Sequence, residues 1–263
     1  MQGRIKIFTR SFDLRLYTLS RNLYLGMGIP TVRLTDKSAD GYFYAMLSDM
    51  DCDIAINVDE DAFITDPQAV LDLVQTVVEG GYANAGCSDG DPATTGRDPV
   101  VTNPFFNVFN LSLIRTRFDR SLIRARSFGD AEPYYPFFHW LAAEFKTLYL
   151  PCRRHPDGIT TVAMDAAGRD LCVHSWYSRF YSMPTWMVHF ADKDASRQKE
   201  RIDALIKEAY DIRGMEVPGF GFADNLGFFG NKVLRWTVKI PQRISRWPFK
   251  VKRLIFKKKT RTI

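Results

Sequence analysis

The sequence predicts an α/β protein built on a mainly parallel, doubly wound sheet that is flanked by helices. Segments of strand and helix character alternate from residue 4 to residue 58 in the order β-α-β-α-β. The third strand, residues 54–58, is short, apolar and β-branched without alternation, which is typical of a strand covered on both faces. Three acids, Asp59, Glu60 and Asp61, follow it at the edge of the sheet where ligands bind in such folds.

Turn residues and apolar spacing place the remaining elements. Leu16, Leu19 and Leu23 recur at helical spacing ahead of Pro30, and Asp66-Pro67 is a strong helix start. We predict helices over residues 13–25, 38–48, 66–80, 133–145 and 192–213, and strands over 4–10, 29–36, 54–58, 82–87, 104–116, 147–152 and 170–174. Residues 88–103 form a long polar loop, and loops of this length are usually functional or disordered.

The three acids are difficult to explain by stability. Carboxylates this close repel one another, and they cannot be buried bare. A divalent cation between them would remove the repulsion, because hard cations take oxygen ligands. The structural alternative is a solvated acidic loop at a strand end.

Charge is distributed unevenly along the chain. The 263 residues include 36 Lys and Arg and 30 Asp and Glu, a net charge of +6. Twelve of the basic residues and none of the acids lie in residues 231–263, which leaves 24 basic and 30 acidic residues in 1–230. The body is therefore mildly acidic, and the basicity belongs to the tail.

Composition also bounds the class of protein. An apolar content of 46% is ordinary for a soluble globular protein. Four scattered cysteines without a C-x-x-C pair argue against structural zinc and favour reduced thiols. We find no signal-peptide pattern and no apolar run of the about 18 residues that a membrane span needs. We therefore expect a cytoplasmic protein.

The order of motifs resembles a known fold family. Two β-α units precede Asp59-x-Asp61, and the apolar strand NPFFNVFNLSLIR, the segment FGDAEPYYPFFHWLAAEFKTLYLP and His174 follow. Over residues 4–190 this order resembles the GT-A-fold, nucleotide-sugar-dependent glycosyltransferases, without identifying a specific family. The resemblance implies a GT-A-like (Rossmann-like) sheet.

The resemblance also implies a metal-dependent donor site. In such enzymes the D-x-D motif binds a nucleotide-diphosphate sugar through Mn²⁺ or Mg²⁺. The implied metal set is Asp59, Asp61 and His174: Asp61 ligates directly, Asp59 contacts the ribose or a metal-bound water, and His174 completes the shell. A histidine packed in the core without a ligand role is the alternative for His174.

Further binding residues follow from the same resemblance. The nucleoside pocket would lie at the ends of the first two strands, at Thr9, Arg10, Asp36 and Lys37. Asn107 and Asn110 would face the donor sugar or the buried backbone, because buried amides need partners.

Two acids ahead of the predicted helix at Pro133 are candidates for catalysis. The resemblance implies that Asp130 or Glu132 deprotonates the acceptor hydroxyl in an inverting reaction, which we favour over retention. Their Asp-Ala-Glu spacing departs from the adjacent Glu-Asp pair that is usual in the family. As an alternative, both acids stabilise the helix N-terminus through its dipole.

The basic tail predicts an interfacial helix. We divide the chain into a transferase domain, residues 1–225, and a basic amphipathic tail, residues 226–263, in which Pro241 and Pro248 begin new helical segments. At about 1 kcal/mol per basic residue near anionic lipid, this tail would attach peripherally to the inner face of the cell membrane. A helix packed on the body and a nucleic-acid arm are the alternatives, and the acidic body argues against nucleic acid. Seven apolar side chains share an arc of about 80° on a helical wheel: Val233, Trp236, Ile240, Ile244, Trp247, Val251 and Leu254.

The predicted function is metal-dependent transfer of a sugar from a nucleotide-diphosphate sugar to a glycan or lipid-linked acceptor, as in cell-surface polysaccharide synthesis. A nucleotidyltransferase with the same acidic site is one alternative, although the sequence has no glycine-rich phosphate loop. A non-catalytic basic protein that binds membrane or nucleic acid is another, although it would leave the acids without a role.

Overall fold

The computed structural model describes residues 4–35, 39–123, 134–181 and 195–233. The chain divides into two compact units, Met1–Pro218 and Gly219–Ile263. The predicted domain boundary after residue 225 stays a prediction.

The first unit is built on a six-stranded central sheet. Its strands lie in the order β2-β1-β3-β6-β5-β7. All run parallel except β6, which is antiparallel to both neighbours. This arrangement confirms the predicted fold class. The strands are β1 Ile5–Arg10, β2 Thr31–Leu34, β3 Ile54–Val58, β5 Tyr82–Ser88, β6 Thr102–Asn110 and β7 Lys146–Leu150.

Helices cover both faces of this sheet. Asp13 and Asp66 cap the first and third helices with their side chains, and α3 ends where Gly81 adopts a φ of 63°. The α-helices are α1 Leu14–Asn22, α2 Ala39–Leu47, α3 Pro67–Glu79, α4 Leu111–Arg115, α5 Tyr135–Glu144, α6 Ser178–Tyr181 and α7 Ala195–Ile212, with 3₁₀ turns at Leu25–Met27 and Arg120–Ile123.

Strand β3 is buried on both faces, as its composition predicts. Ile54, Ile56 and Val58 belong to one apolar cluster, which includes the inner face of α3. Ala55 belongs to the other cluster, with Phe43 of α2 and aromatic residues of α5. The carboxyl end of β3 is therefore fixed by packing from both sides.

A second, four-stranded sheet was not predicted. Its strands, in the order β4-β10-β9-β8, are all antiparallel. They are β4 Ala62–Ile64, β8 Cys152–Arg154, β9 Thr161–Met164 and β10 Asp170–His174. Because β3 ends at Val58 and β4 begins at Ala62, the acids at 59–61 connect the two sheets.

The strand predicted over residues 104–116 is too long at its end. β6 stops at Asn110, and α4 follows at once. The Asn110 side chain accepts a hydrogen bond from the Leu113 amide at 3.1 Å and so caps this helix. Leu111 and Ile114, one turn apart, are then both buried.

The second unit contains a helix over residues 222–233. The rest of the predicted amphipathic tail, residues 234–263, lies outside the described residues. In the part of the chain that the structure describes, no helix is both long and apolar enough to cross a membrane.

Candidate metal and donor site

Asp59, Asp61 and His174 come together at the carboxyl end of β3. One potential ligand atom from each side chain lies within 4.8 Å of the other two. The three residues line a cavity of about 490 Å³, together with Arg10, Asn103 and other residues. The predicted metal set therefore forms one cluster, although its role stays a prediction.

Pairing in the second sheet brings His174 to the acids. His174 is the last residue of β10, and it pairs with Ala62 of β4. The Ser175 amide then donates a hydrogen bond of 2.9 Å to the Asp61 carbonyl oxygen, which extends this pairing. As a result, Nε2 of His174 lies 3.4 Å from Oδ1 of Asp61.

Two aromatic rings fix the plane of the imidazole. Phe105 of β6 stacks on His174 with a centroid distance of 4.6 Å and an interplanar angle of 3°. Trp176 packs against His174, with their centroids 4.3 Å apart, and its indole N–H donates a hydrogen bond to Thr161 at 2.8 Å. A ring held this way offers its nitrogens in a defined direction.

Two polar atoms in this cluster are buried and have no hydrogen-bond partner among the described residues: Oδ1 of Asp59 and Nδ1 of His174. Such atoms are costly unless something satisfies them. Carboxylate oxygens and an imidazole nitrogen are suitable ligands for Mn²⁺, and carboxylates also suit Mg²⁺. The residues present therefore fit a divalent cation.

The two carboxylates differ in their electrostatics. Burial raises the pKa of Asp59, although the Arg10 guanidinium lies 3.4 Å from its Oδ2. Burial also disfavours the charged form of Asp61, but the neighbouring His174, a backbone hydrogen bond and Arg10 together lower the Asp61 pKa. The Asp59 carboxylate in turn raises the pKa of Arg10.

Glu60 points away from this cluster. Its Oε2 accepts hydrogen bonds from the amides of Phe12 and Asp13, each at 2.6 Å, and from the Ser11 hydroxyl at 3.0 Å. Burial raises its pKa to about 8. Glu60 thus holds the turn between β1 and α1.

Of the four strand-end residues predicted to form the nucleoside pocket, Arg10 alone lines the cavity within the described part of the chain. Thr9 is buried and shares a hydrogen bond of 2.9 Å with the Tyr24 hydroxyl. Asp36 and Lys37 lie outside the described residues.

The two predicted sugar-facing amides make hydrogen bonds within the fold. Asn107 donates to the Thr102 hydroxyl at 3.1 Å and to Asn84 at 3.4 Å, and Asn110 caps α4. Neither lines the cavity. The catalytic candidates Asp130 and Glu132 lie outside the described residues, so their role stays a prediction.

Sequence reasoning missed the backbone that follows His174. Trp176 and Tyr177 have φ values of 58° and 60°, a left-handed conformation that costs a bulky residue about 1–2 kcal/mol. Arg201 of α7 donates to the carbonyl oxygens of Ser175 and Trp176, and its Nη1 lies 3.0 Å from Asp157. This arginine therefore holds the strained segment from outside the cavity.

The polar loop between β5 and β6 forms another wall of the cavity, through Thr95 and Arg97. The buried Asp89 secures its base, because it accepts hydrogen bonds from Asn103 at 2.6 Å and from the Tyr135 hydroxyl. The length and polarity of this loop indicate in the sequence that it has a function, but no sequence pattern distinguishes Asp89 from its other polar residues.

No protein-family model and no curated protein matches this chain. Among the solved structures that resemble it distantly are three transferases. A glycosyltransferase involved in the glycosylation of the major capsid of PBCV-1 matches 76% of this chain and 98% of its own, at 9% identity and a TM-score of 0.46. The mannosyltransferase PcManGT from Pyrobaculum calidifontis, solved with GDP-Man and Mn²⁺, matches 81% and 74%, at 11% identity and a TM-score of 0.40.

The third is a cytidylyltransferase from Leptospira borgpetersenii, which matches 83% of this chain and 100% of its own at 12% identity and a TM-score of 0.38. Glycosyltransferases and a nucleotidyltransferase are thus both among the solved structures that the chain resembles. All three TM-scores lie below 0.5, so the chemistry of this protein rests on its own residues.

Proposed function

We propose that the protein is a metal-dependent glycosyltransferase. It transfers a sugar from a nucleotide-diphosphate sugar to a glycan or lipid-linked acceptor, with Mn²⁺ or Mg²⁺ as cofactor. The observation that carries this proposal is the convergence of Asp59, Asp61 and His174, with ligand atoms within 4.8 Å of one another, on one cavity.

Buried, partly unsatisfied carboxylates are explained by a cation site more readily than by stability. The cation, when bound, would offset the negative charge that develops on the departing diphosphate. Asp59, Asp61 and His174 would hold it, and Phe105 and Trp176 would keep the imidazole in place.

The cavity also suits the organic part of such a donor. Its volume of about 490 Å³ falls within the range of ligand pockets. Tyr134, Trp176 and Tyr177 give it aromatic walls, which favour contacts with planar bases and sugar faces. Arg10 contributes a positive charge beside Asp59.

Metal and donor dependence can be tested with the full chain. We would incubate it with a panel of nucleotide sugars and Mn²⁺ or Mg²⁺, measure nucleoside diphosphate release, and titrate Mn²⁺ calorimetrically. Asp61→Asn should reduce both release and Mn²⁺ affinity, the former by about 100-fold or more. Asp72→Asn is the matched control, because it removes a half-exposed carboxylate on α3.

Undiminished activity of Asp61→Asn, or of wild type in excess chelator, would contradict the proposal. So would pyrophosphate release from a nucleoside triphosphate and a sugar phosphate, which marks a nucleotidyltransferase.

A further inference from the structure

The helix at residues 222–233 exposes a line of apolar side chains. Phe222, Leu226, Phe229 and Val233 are 85%, 58%, 64% and 45% exposed. At about 100° per residue their positions fall within an arc of about 60°, so they form one stripe along the helix. We call these four residues the apolar stripe.

A stripe of this kind is unfavourable in water, because its four side chains leave 45–85% of their area hydrated. The helix has little intrinsic stability to compensate, since it includes Gly227 and Gly230. Phe228, on another side, packs edge-to-face on Phe220 at 4.9 Å. Phe228 thus has a partner ring within the unit, whereas the side chains of the stripe are exposed in the part of the chain that the structure describes.

The sequence that follows indicates what covers the stripe. Residues 231–263 contain twelve Lys and Arg and no Asp or Glu. The same spacing of three and four residues also continues beyond Val233, to Trp236, Ile240, Ile244, Trp247, Val251 and Leu254. This combination of apolar, aromatic and basic residues is typical of segments that bind an anionic lipid surface. The Lys and Arg side chains would contact the headgroups, and the apolar stripe would contact the acyl chains.

We propose that the apolar stripe inserts into the surface of an anionic lipid bilayer, so that the second unit attaches the protein to a membrane. This proposal is independent of the transferase activity. Nucleic acid would attract the basic residues but gives the stripe no apolar surface. A second copy of the chain would cover the stripe only by bringing two sets of twelve basic residues together.

The test compares two doubly substituted full-length proteins that carry the same added charge. Leu226→Asp with Phe229→Asp removes the centre of the stripe. Ala223→Asp with Gly227→Asp places the same charges elsewhere on the helix, where a side chain on Gly227 meets no atom within 4 Å. Binding is measured by co-sedimentation with phosphatidylcholine vesicles that contain or lack phosphatidylglycerol, and circular dichroism checks folding.

We expect wild type and the off-stripe variant to bind the anionic vesicles with similar affinity. The stripe variant should bind them about tenfold more weakly or worse. Equal binding by both variants, wild-type binding that does not depend on phosphatidylglycerol, or binding to duplex DNA in place of vesicles would overturn the proposal. So would sedimentation-velocity evidence that the stripe holds a dimer that does not bind vesicles.

Discussion

The two sheets of the first unit differ in construction, and the candidate site lies where they meet. The central sheet is mainly parallel, and its strand β3 is buried on both faces; the sheet supplies Arg10, and Asp59 directly follows β3. The second sheet has strands of three to five residues, all antiparallel, and it supplies His174. Neither sheet holds the whole cluster, because Asp61 belongs to the connection between them. The site therefore depends on the packing of one sheet against the other.

The largest effect should come from removing the ligand that the second sheet supplies. His174→Ala takes away the imidazole but leaves both carboxylates. We expect sugar transfer to fall about 100-fold and Mn²⁺ affinity at least tenfold, by the measurements described above. His155→Ala is the matched control, since His155 lies in the same sheet region but contacts Glu208 and Asp157. Equal losses in the two variants would show that His174 acts through folding alone.

Next to the central sheet, substitutions of Glu60 and Asp59 should have different effects: the first should lower stability, and the second should lower activity. Glu60→Ala leaves the buried amides of Phe12 and Asp13 and the Ser11 hydroxyl without their acceptor. The free energy of unfolding should fall by about 2–4 kcal/mol in urea titrations. Asp59→Asn should keep most of the stability and lose activity instead. A reversed pattern would place Glu60, and not Asp59, in the site.

The smallest of these effects concerns Arg201, which holds the backbone beyond the second sheet. Arg201→Met removes the donors to Ser175 and Trp176, so His174 and its aromatic neighbours lose support. We expect about a tenfold loss of Mn²⁺ affinity and activity. Arg201→Lys should restore part of it, whereas Arg197→Met, an exposed position on the same helix, should change little. If Arg201→Met lowers only the melting temperature, its role is structural.

The contrast between the sheets also explains what the sequence could predict. The β3 run and the Asp66-Pro67 helix start are local signals, and both elements form where they were predicted. Strands β8 and β9 have only three and four residues, which is too short for a periodic pattern. The resemblance nominated His174, but only the pairing of β10 with β4 shows how it reaches Asp61.

Other features of the site have no local signal at all. Tryptophan and tyrosine disfavour left-handed backbone, so nothing at Trp176 and Tyr177 indicates it. Arg201 resembles any other arginine on the polar side of a helix. Asn107 and Asn110 show the converse, because amides that suggested a ligand contact the fold itself: the Asn107 side-chain N–H donates to Thr102, and the Asn110 oxygen caps α4.

The left-handed backbone of Trp176 and Tyr177 lowers the stability of the fold, whereas their side chains line the cavity. Glycine at position 177 would adopt a φ of 60° without steric penalty. Such a protein would avoid the backbone strain at this position, yet it would lose an aromatic wall of the cavity and gain freedom beside His174. Selection for thermal stability alone would therefore favour residues that adopt a positive φ at positions 176 and 177 without strain. A screen for stabilised variants should keep Trp176 and Tyr177 unchanged.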